Sequence, residues 1–189
     1  LTRLKDCIGC ISEQMLAQFC LSKGLKALNL RYFNPAGAVE NADHGERHNP
    51  ETHLIPNLFQ AIQTGNTVSI FGNTYPTPDG TCIRDFIHVS DLATGHLKAM
   101  SYLMRQAPGF IDAINLGSGK GSSVQEIVTA AEKIAQRSVK VKIEAPRPGD
   151  PPKLIAAIEK AKKVLDWEPS LSLEALLRSH WQWTQKCAS

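Results

Sequence analysis

Short apolar runs of strand length alternate with amphipathic segments of helix length from one end of this sequence to the other. That alternation limits the fold more than any other feature. Strands that take turns with helices close into a parallel sheet covered by those helices. Strands are predicted at 25–30, 68–71, 83–89, 113–116 and 139–143. Helices are predicted from Ser12 to Gly24 and at 54–63, 91–105, 124–135, 159–165 and 173–185. The fold class is therefore α/β. The helix ends carry their own signals. Ser90 and Ser123 read as N-caps, and Glu126 completes a capping box with Ser123. Pro56 falls in a first turn, where its missing N–H costs nothing.

One strand exit stands out. The run 25–30 leads into Arg31-Tyr32-Phe33-Asn34-Pro35-Ala36-Gly37-Ala38, and residues 34–52 then show no periodicity. In open α/β sheets ligands sit beyond the carboxyl ends of the strands. Asn34 brings two donors and an acceptor. Pro35 fixes φ and Gly37 lets a ligand approach the backbone. The same residues also suit an ordinary turn.

Bulk properties exclude several classes. The 189 residues are 42% hydrophobic and 21% charged, as in an ordinary globular protein. A net charge of +3, with no aromatic–basic interleaving, does not describe a nucleic-acid surface. No apolar run approaches the ~20 residues that span a bilayer, and the first residues lack a signal-peptide core. Five cysteines, an odd number, fit a reducing compartment, so a cytoplasmic location is expected. Cys7 and Cys10 have C-x-x-C spacing without a second pair, and read as plain thiols.

Other residues could carry chemistry. Gly117-Ser-Gly-Lys-Gly-Ser-Ser has phosphate-loop composition, but Gly121 separates Lys120 from Ser122, which breaks the Walker spacing. ATP binding through Lys120 is the corresponding rival reading. His44, His48 and His53 are spaced by four and five but fall in a loop, and no metal site is expected from them. Arg84-Asp85 and Arg147-x-x-Asp150 border Pro/Gly-rich loops. Each arginine could face a diphosphate, or pair with its neighbouring aspartate inside the protein.

Taken together, the segments Leu30–Ala38, Ile70–Thr81, Ile83–Ala93, Ile114–Gly119, Arg147–Asp150 and Val164–Pro169 resemble the UDP-glucose 4-epimerase family of extended short-chain dehydrogenases, in order and over nearly the whole chain. The Thr-Pro-Asp-Gly-Thr insert before Arg-Asp-Phe-Ile-His points to 4-epimerases rather than dehydratases. The resemblance implies an NAD-dependent isomerase that interconverts UDP-glucose and UDP-galactose in galactose metabolism. Tyr32, Phe33 and Pro35 would border the nicotinamide of NAD. Asn34 would touch the diphosphate of the UDP-sugar, beside His53 and Leu54. Ser69, Ile70 and Phe71 would hold uracil, and Val124 would line the uridine pocket. Arg84 and Arg147 would neutralise the diphosphate, Asp150 would accept from ribose, and Leu154 would tune pocket width.

The resemblance also implies a division. Residues 1–33 match the last helix and strand of the NAD-binding Rossmann domain, and 34–189 match the UDP-sugar domain, with 83–118 packing back on the Rossmann sheet. The family's glycine fingerprint is not in these residues. Its catalytic Tyr-x-x-x-Lys falls at Lys5 and Gly9. The expectation is a C-terminal substrate-binding half that is inactive alone. It would associate with itself, as the homodimeric family does, or serve as a non-catalytic nucleotide-sugar binding module.

Overall fold

The structure, a computed structural model, describes residues 2–188, with side chains from Gly9 to Cys187. It is an α/β fold built on parallel strand pairs. Helix α1 (Thr2–Lys23) leads to strand β1 (Ala27–Tyr32), and β2 (Asn34–Ala36) follows at once. Helix α2 (Leu54–Thr64) and strand β3 (Thr67–Phe71) come after the long loop. Next are β4 (Ile83–Arg84), β5 (Phe86–His88), α3 (Val89–Met104) and β6 (Ile111–Leu116). The chain closes with β7 (Ser122–Ser123), α4 (Val124–Ala135), β8 (Lys140–Glu144), β9 (Lys153–Leu154), α5 (Glu159–Leu165) and α6 (Leu173–Ala188).

Parallel pairs join β1 to β6, β2 to β5 and β3 to β8, while β4 lies between β7 and β9. Two cores result. One gathers α2, β3, α4 and α6 around Leu58, Phe59, Ile70, Ile127 and Leu177. The other packs α3 and α5 on β6 through Leu92, Ile114, Leu116 and Trp167. The α2 pattern shows why the first forms. Ile55, Leu58, Phe59 and Ile62 recur at helical spacing and are buried. Each such side chain contributes roughly 1.5–3 kcal/mol on leaving water. Gly65 stops the helix with φ 76° and donates its N–H to the Ala61 carbonyl at 2.9 Å, a left-handed cap that a Cβ would strain.

Several elements differ from the sequence expectation. Helix α1 starts at Thr2, not Ser12, because Leu, Arg and Lys favour a helix and Gly9 costs it only about 1 kcal/mol. The expected strand 83–89 breaks at Asp85, whose buried carboxylate turns inward. His88, not Ser90, caps α3: its Nδ1 accepts from the Ser90 N–H at 3.0 Å. The aperiodic segment 34–52 holds β2, a 3-10 turn at Glu40–Ala42 and an Ala38–Gly45 bridge. Ser123 and Glu126 form the expected capping box on α4.

Candidate functional site

The carboxyl ends of β1 and β3 open onto one cleft of about 750 Å³. Phe33, Asn34 and Pro35 come from the strand exit, and Ser69, Ile70 and Phe71 from β3. His53 and Leu54 enter at the start of α2, and Val124 at the start of α4. Arg84, Arg147 and Asp150 complete the polar part of the wall. Two of the residues singled out in the sequence lie elsewhere. Tyr32 is half-exposed outside the cleft, its hydroxyl 3.4 Å from His96 Nε2. Leu154 is exposed on β9, in register with Arg84.

The arginines are held differently from either pairing that the sequence suggested. Arg84 is nearly buried. Its Nη1 donates to the carbonyls of Ile83 and Pro151, both at 2.9 Å. Its Nη2 lies 3.2 Å from Asp150 Oδ1, an ion pair whose angle leaves Nη2 without an aligned hydrogen bond. Arg84 thus pairs with Asp150 rather than Asp85, and keeps a donor in a buried wall. Such a donor costs about 1–3 kcal/mol until something accepts from it. Arg147 is exposed and stacks over the Phe71 ring, 4.0 Å from guanidinium carbon to centroid. A cation on that face orders both side chains.

Asp85 serves the scaffold. It is fully buried and accepts from Ser118 N and Oγ, Gly119 N and Ala156 N at 2.6–3.0 Å. Those bonds take up the Ser118 and Gly119 amides at the centre of the 117–121 loop. The Lys120 amide also turns inward, to Ser118 Oγ at 3.1 Å. The Walker-like reading therefore has no anion cradle here. Cys82, also on the cleft wall, has its thiol pushed up by burial, so it offers no thiolate.

The rim is formed by the 43–53 loop. Trp183 on α6 lies against Gly45, where a Cβ would come within 2.5 Å of the indole, and its Nε1 donates to the Glu46 carbonyl at 2.9 Å. Lys186 pairs with Asp43 at 2.8 Å. Glu46 and Glu51 line the cleft beside His53. Burial pushes the Glu51 carboxyl up, but the amides of His53 and Thr52 together with the His48 ring outweigh it, and its pKa falls below the usual value. These glutamates escaped the sequence reading. The alternation Glu-x-His…Glu-x-His across 46–53 was the available signal.

Of the residues that resemblance assigns to NAD, Phe33 and Pro35 face the cleft, and Tyr32 does not. The Lys5 side chain, at the expected tyrosine position, and that of Cys7 lie outside the described residues. The described cysteines Cys10, Cys20, Cys82 and Cys187 are free thiols. No helix among the described residues is long and apolar enough to cross a membrane.

The parallel α/β scaffold is shared by proteins of known structure. UDP-glucose 4-epimerase from Stenotrophomonas maltophila, solved with NAD and formylated UDP-arabinopyranose, superposes with a TM-score of 0.88 at 35% identity. The match covers 95% of this chain and 54% of that one. The Bifidobacterium longum enzyme, solved with NAD+ and UDP, gives 0.87 at 34% identity, over 94% of this chain and 53% of that one. In sequence, the UDP-glucose 4-epimerase of Rhizobium meliloti is 44% identical over 174 residues, 92% of this chain and 52% of the relative. The profile of the GDP-mannose 4,6 dehydratase family matches residues 10–180, and the chain belongs to that family. It spans about half the length of the curated relatives it matches.

Proposed function

We propose that this chain supplies the UDP-sugar-binding half of a UDP-glucose 4-epimerase, acting on UDP-glucose and UDP-galactose in galactose metabolism. The observation that carries the reading is the cleft itself. Arg84, with an unaligned donor in the wall, and exposed Arg147 meet there beside the backbone of β3. A UDP-sugar brings about two negative charges, and two arginines match them. Ser69, Ile70 and Phe71 offer uracil a strand end, and the Phe71 ring, already under Arg147, a stacking face. Asp150 accepts from ribose while holding Arg84, and Val124 closes the uridine end. Asn34 reaches the diphosphate from the exit of β1, with His53 and Leu54 at the sugar end. Residues 1–33 form the cofactor side of this arrangement and 34–189 the substrate side. Free thiols are in keeping with the cytoplasm.

NAD would supply hydride acceptance at the sugar's C4 when bound. Phe33 and Pro35 can border the nicotinamide, but the glycine fingerprint is not among these 189 residues. Lys5 and Gly9 stand where the family's tyrosine and lysine act on the 4-hydroxyl. The chain by itself therefore binds UDP without epimerising UDP-glucose, as a non-catalytic module would. Calorimetry with UDP, together with an assay for UDP-galactose in the presence of NAD, tests both parts. Binding should be measurable, Arg84→Ala should cost roughly 2–5 kcal/mol of it, and no UDP-galactose should form. UDP affinity unchanged in Arg84→Ala removes the binding assignment, and NAD-dependent turnover removes the claim of inactivity.

A further inference from the structure

The rim loop gathers Glu46, His48, Glu51 and His53 so that one ligating atom from each lies within 4.8 Å of all the others. We propose that these four residues form a binding site for a divalent transition-metal ion, zinc or one of similar preference, at the edge of the cleft.

Spacing supports this first. Four donors placed tetrahedrally at ~2.1 Å from one ion are about 3.4 Å apart. His48 Nδ1 stands 3.1 Å from Glu46 Oε1 and 3.6 Å from Glu51 Oε1, which brackets that edge. His53 Nδ1 also meets Glu46 Oε1. The two rings are edge to face with centroids 5.3 Å apart, and the Nδ1 of each meets Glu46 Oε1 without the rings stacking. His44 takes no part, since its Nδ1 lies against the Asp43 carbonyl at 2.5 Å.

Donor chemistry supports it next. Two imidazoles and two carboxylates suit zinc, cobalt or a similar ion; magnesium and calcium prefer oxygen alone, and copper(I) prefers sulfur. Each imidazole needs only to carry its ring proton on Nε2 to present a lone pair at Nδ1. A cation also answers the repulsion between two carboxylates held this close together. The carboxylates form the floor, with side chains 15% and 13% exposed, and the imidazoles form a rim open to solvent.

The loop is held before any ion arrives. Trp183 fixes the Glu46 backbone, and the amides of Thr52 and His53 hold Glu51 Oε1 at 2.7 and 2.9 Å. Such outer bonds orient a ligating group and are normally part of a metal site. None of this depends on the nucleotide-sugar reading.

The 189-residue chain, treated with chelator and then titrated with Co²⁺, gives the test, with Zn²⁺ calorimetry alongside. The expected result is one equivalent bound, with the intense visible bands of four-coordinate cobalt. His48→Ala, at an exposed residue whose loss should leave the fold intact, and Glu51→Gln should each weaken Zn²⁺ at least as much as loss of an outer-shell partner does, about 10–100-fold. Cys7→Ser with Cys10→Ser should change neither affinity nor spectrum. No stoichiometric uptake would overturn the site. So would a sulfur-to-cobalt charge-transfer band, or affinity that His48→Ala and Glu51→Gln leave unchanged.

Discussion

His180 on α6 is almost wholly buried, stacked on Phe59 with ring centroids 5.9 Å apart, and its Nδ1 has no hydrogen-bond partner. Burial pushes its pKa down from 6.5 to about 4, only weakly opposed by Glu51. The unfolded chain then binds a proton between pH 6.5 and pH 4 that the folded chain refuses. Stability is therefore full above pH 6.5 and falls as pH drops toward 4, by up to about 3 kcal/mol. His88, also depressed by burial, acts in the same direction. Urea midpoints measured from pH 7.5 to 4 should decline, and His180→Phe should flatten the curve; equal slopes would place the proton elsewhere. At this scale the sequence was half legible. Arg84 and Arg147 stood out because guanidiniums beside Pro/Gly loops suit anions. Their actual partners did not, because the Arg84–Asp150 pair joins residues far apart in the chain. Glu46 and Glu51 went unseen for a different reason: they alternate with His48 and His53 within eight residues, but an aperiodic loop has no spacing rule that says which side chains converge.

Among the elements, Asp85 decides more than any strand. Its single carboxylate holds the loop after β6 and the chain before α5, and it breaks one expected strand into β4 and β5. Asp85→Ala would orphan three backbone amides, one buried and two part-buried. It should cost roughly 3–5 kcal/mol, read as a drop in the denaturation midpoint. A loss under about 1 kcal/mol would mean that water satisfies those amides. Helices α2 and α4 were legible because apolar spacing and a cap, Gly65 for one and Ser123 for the other, lie within or beside each segment. The two-residue strands β7 and β9 were not, because only their pairing with β4 makes them strands. The cap on α3 was hidden likewise, since an imidazole rarely takes the place of a hydroxyl.

The whole molecule has two cores but leaves apolar faces of two helices uncovered. Helix α1 exposes Ile11, Met15, Phe19 and Leu21, and α3 exposes Leu97, Met100 and Met104. Strand β1 pairs only with β6 among the described residues, so its other edge presents unused backbone groups. An open edge beside apolar helix faces favours association. Sedimentation should show a coefficient that rises with concentration for this 189-residue chain, and Met15→Glu with Phe19→Glu should lower it. A monomer at every concentration would show these faces to be harmless.

Trp183 and Gly45 set a final condition, one of timing. On the ribosome Phe33, Asn34 and β3 emerge well before Trp183, the indole that braces the rim. The cleft thus stays unfinished until α6 has been made. A chain released before Trp183 would keep both arginines of its wall and still have a slack mouth.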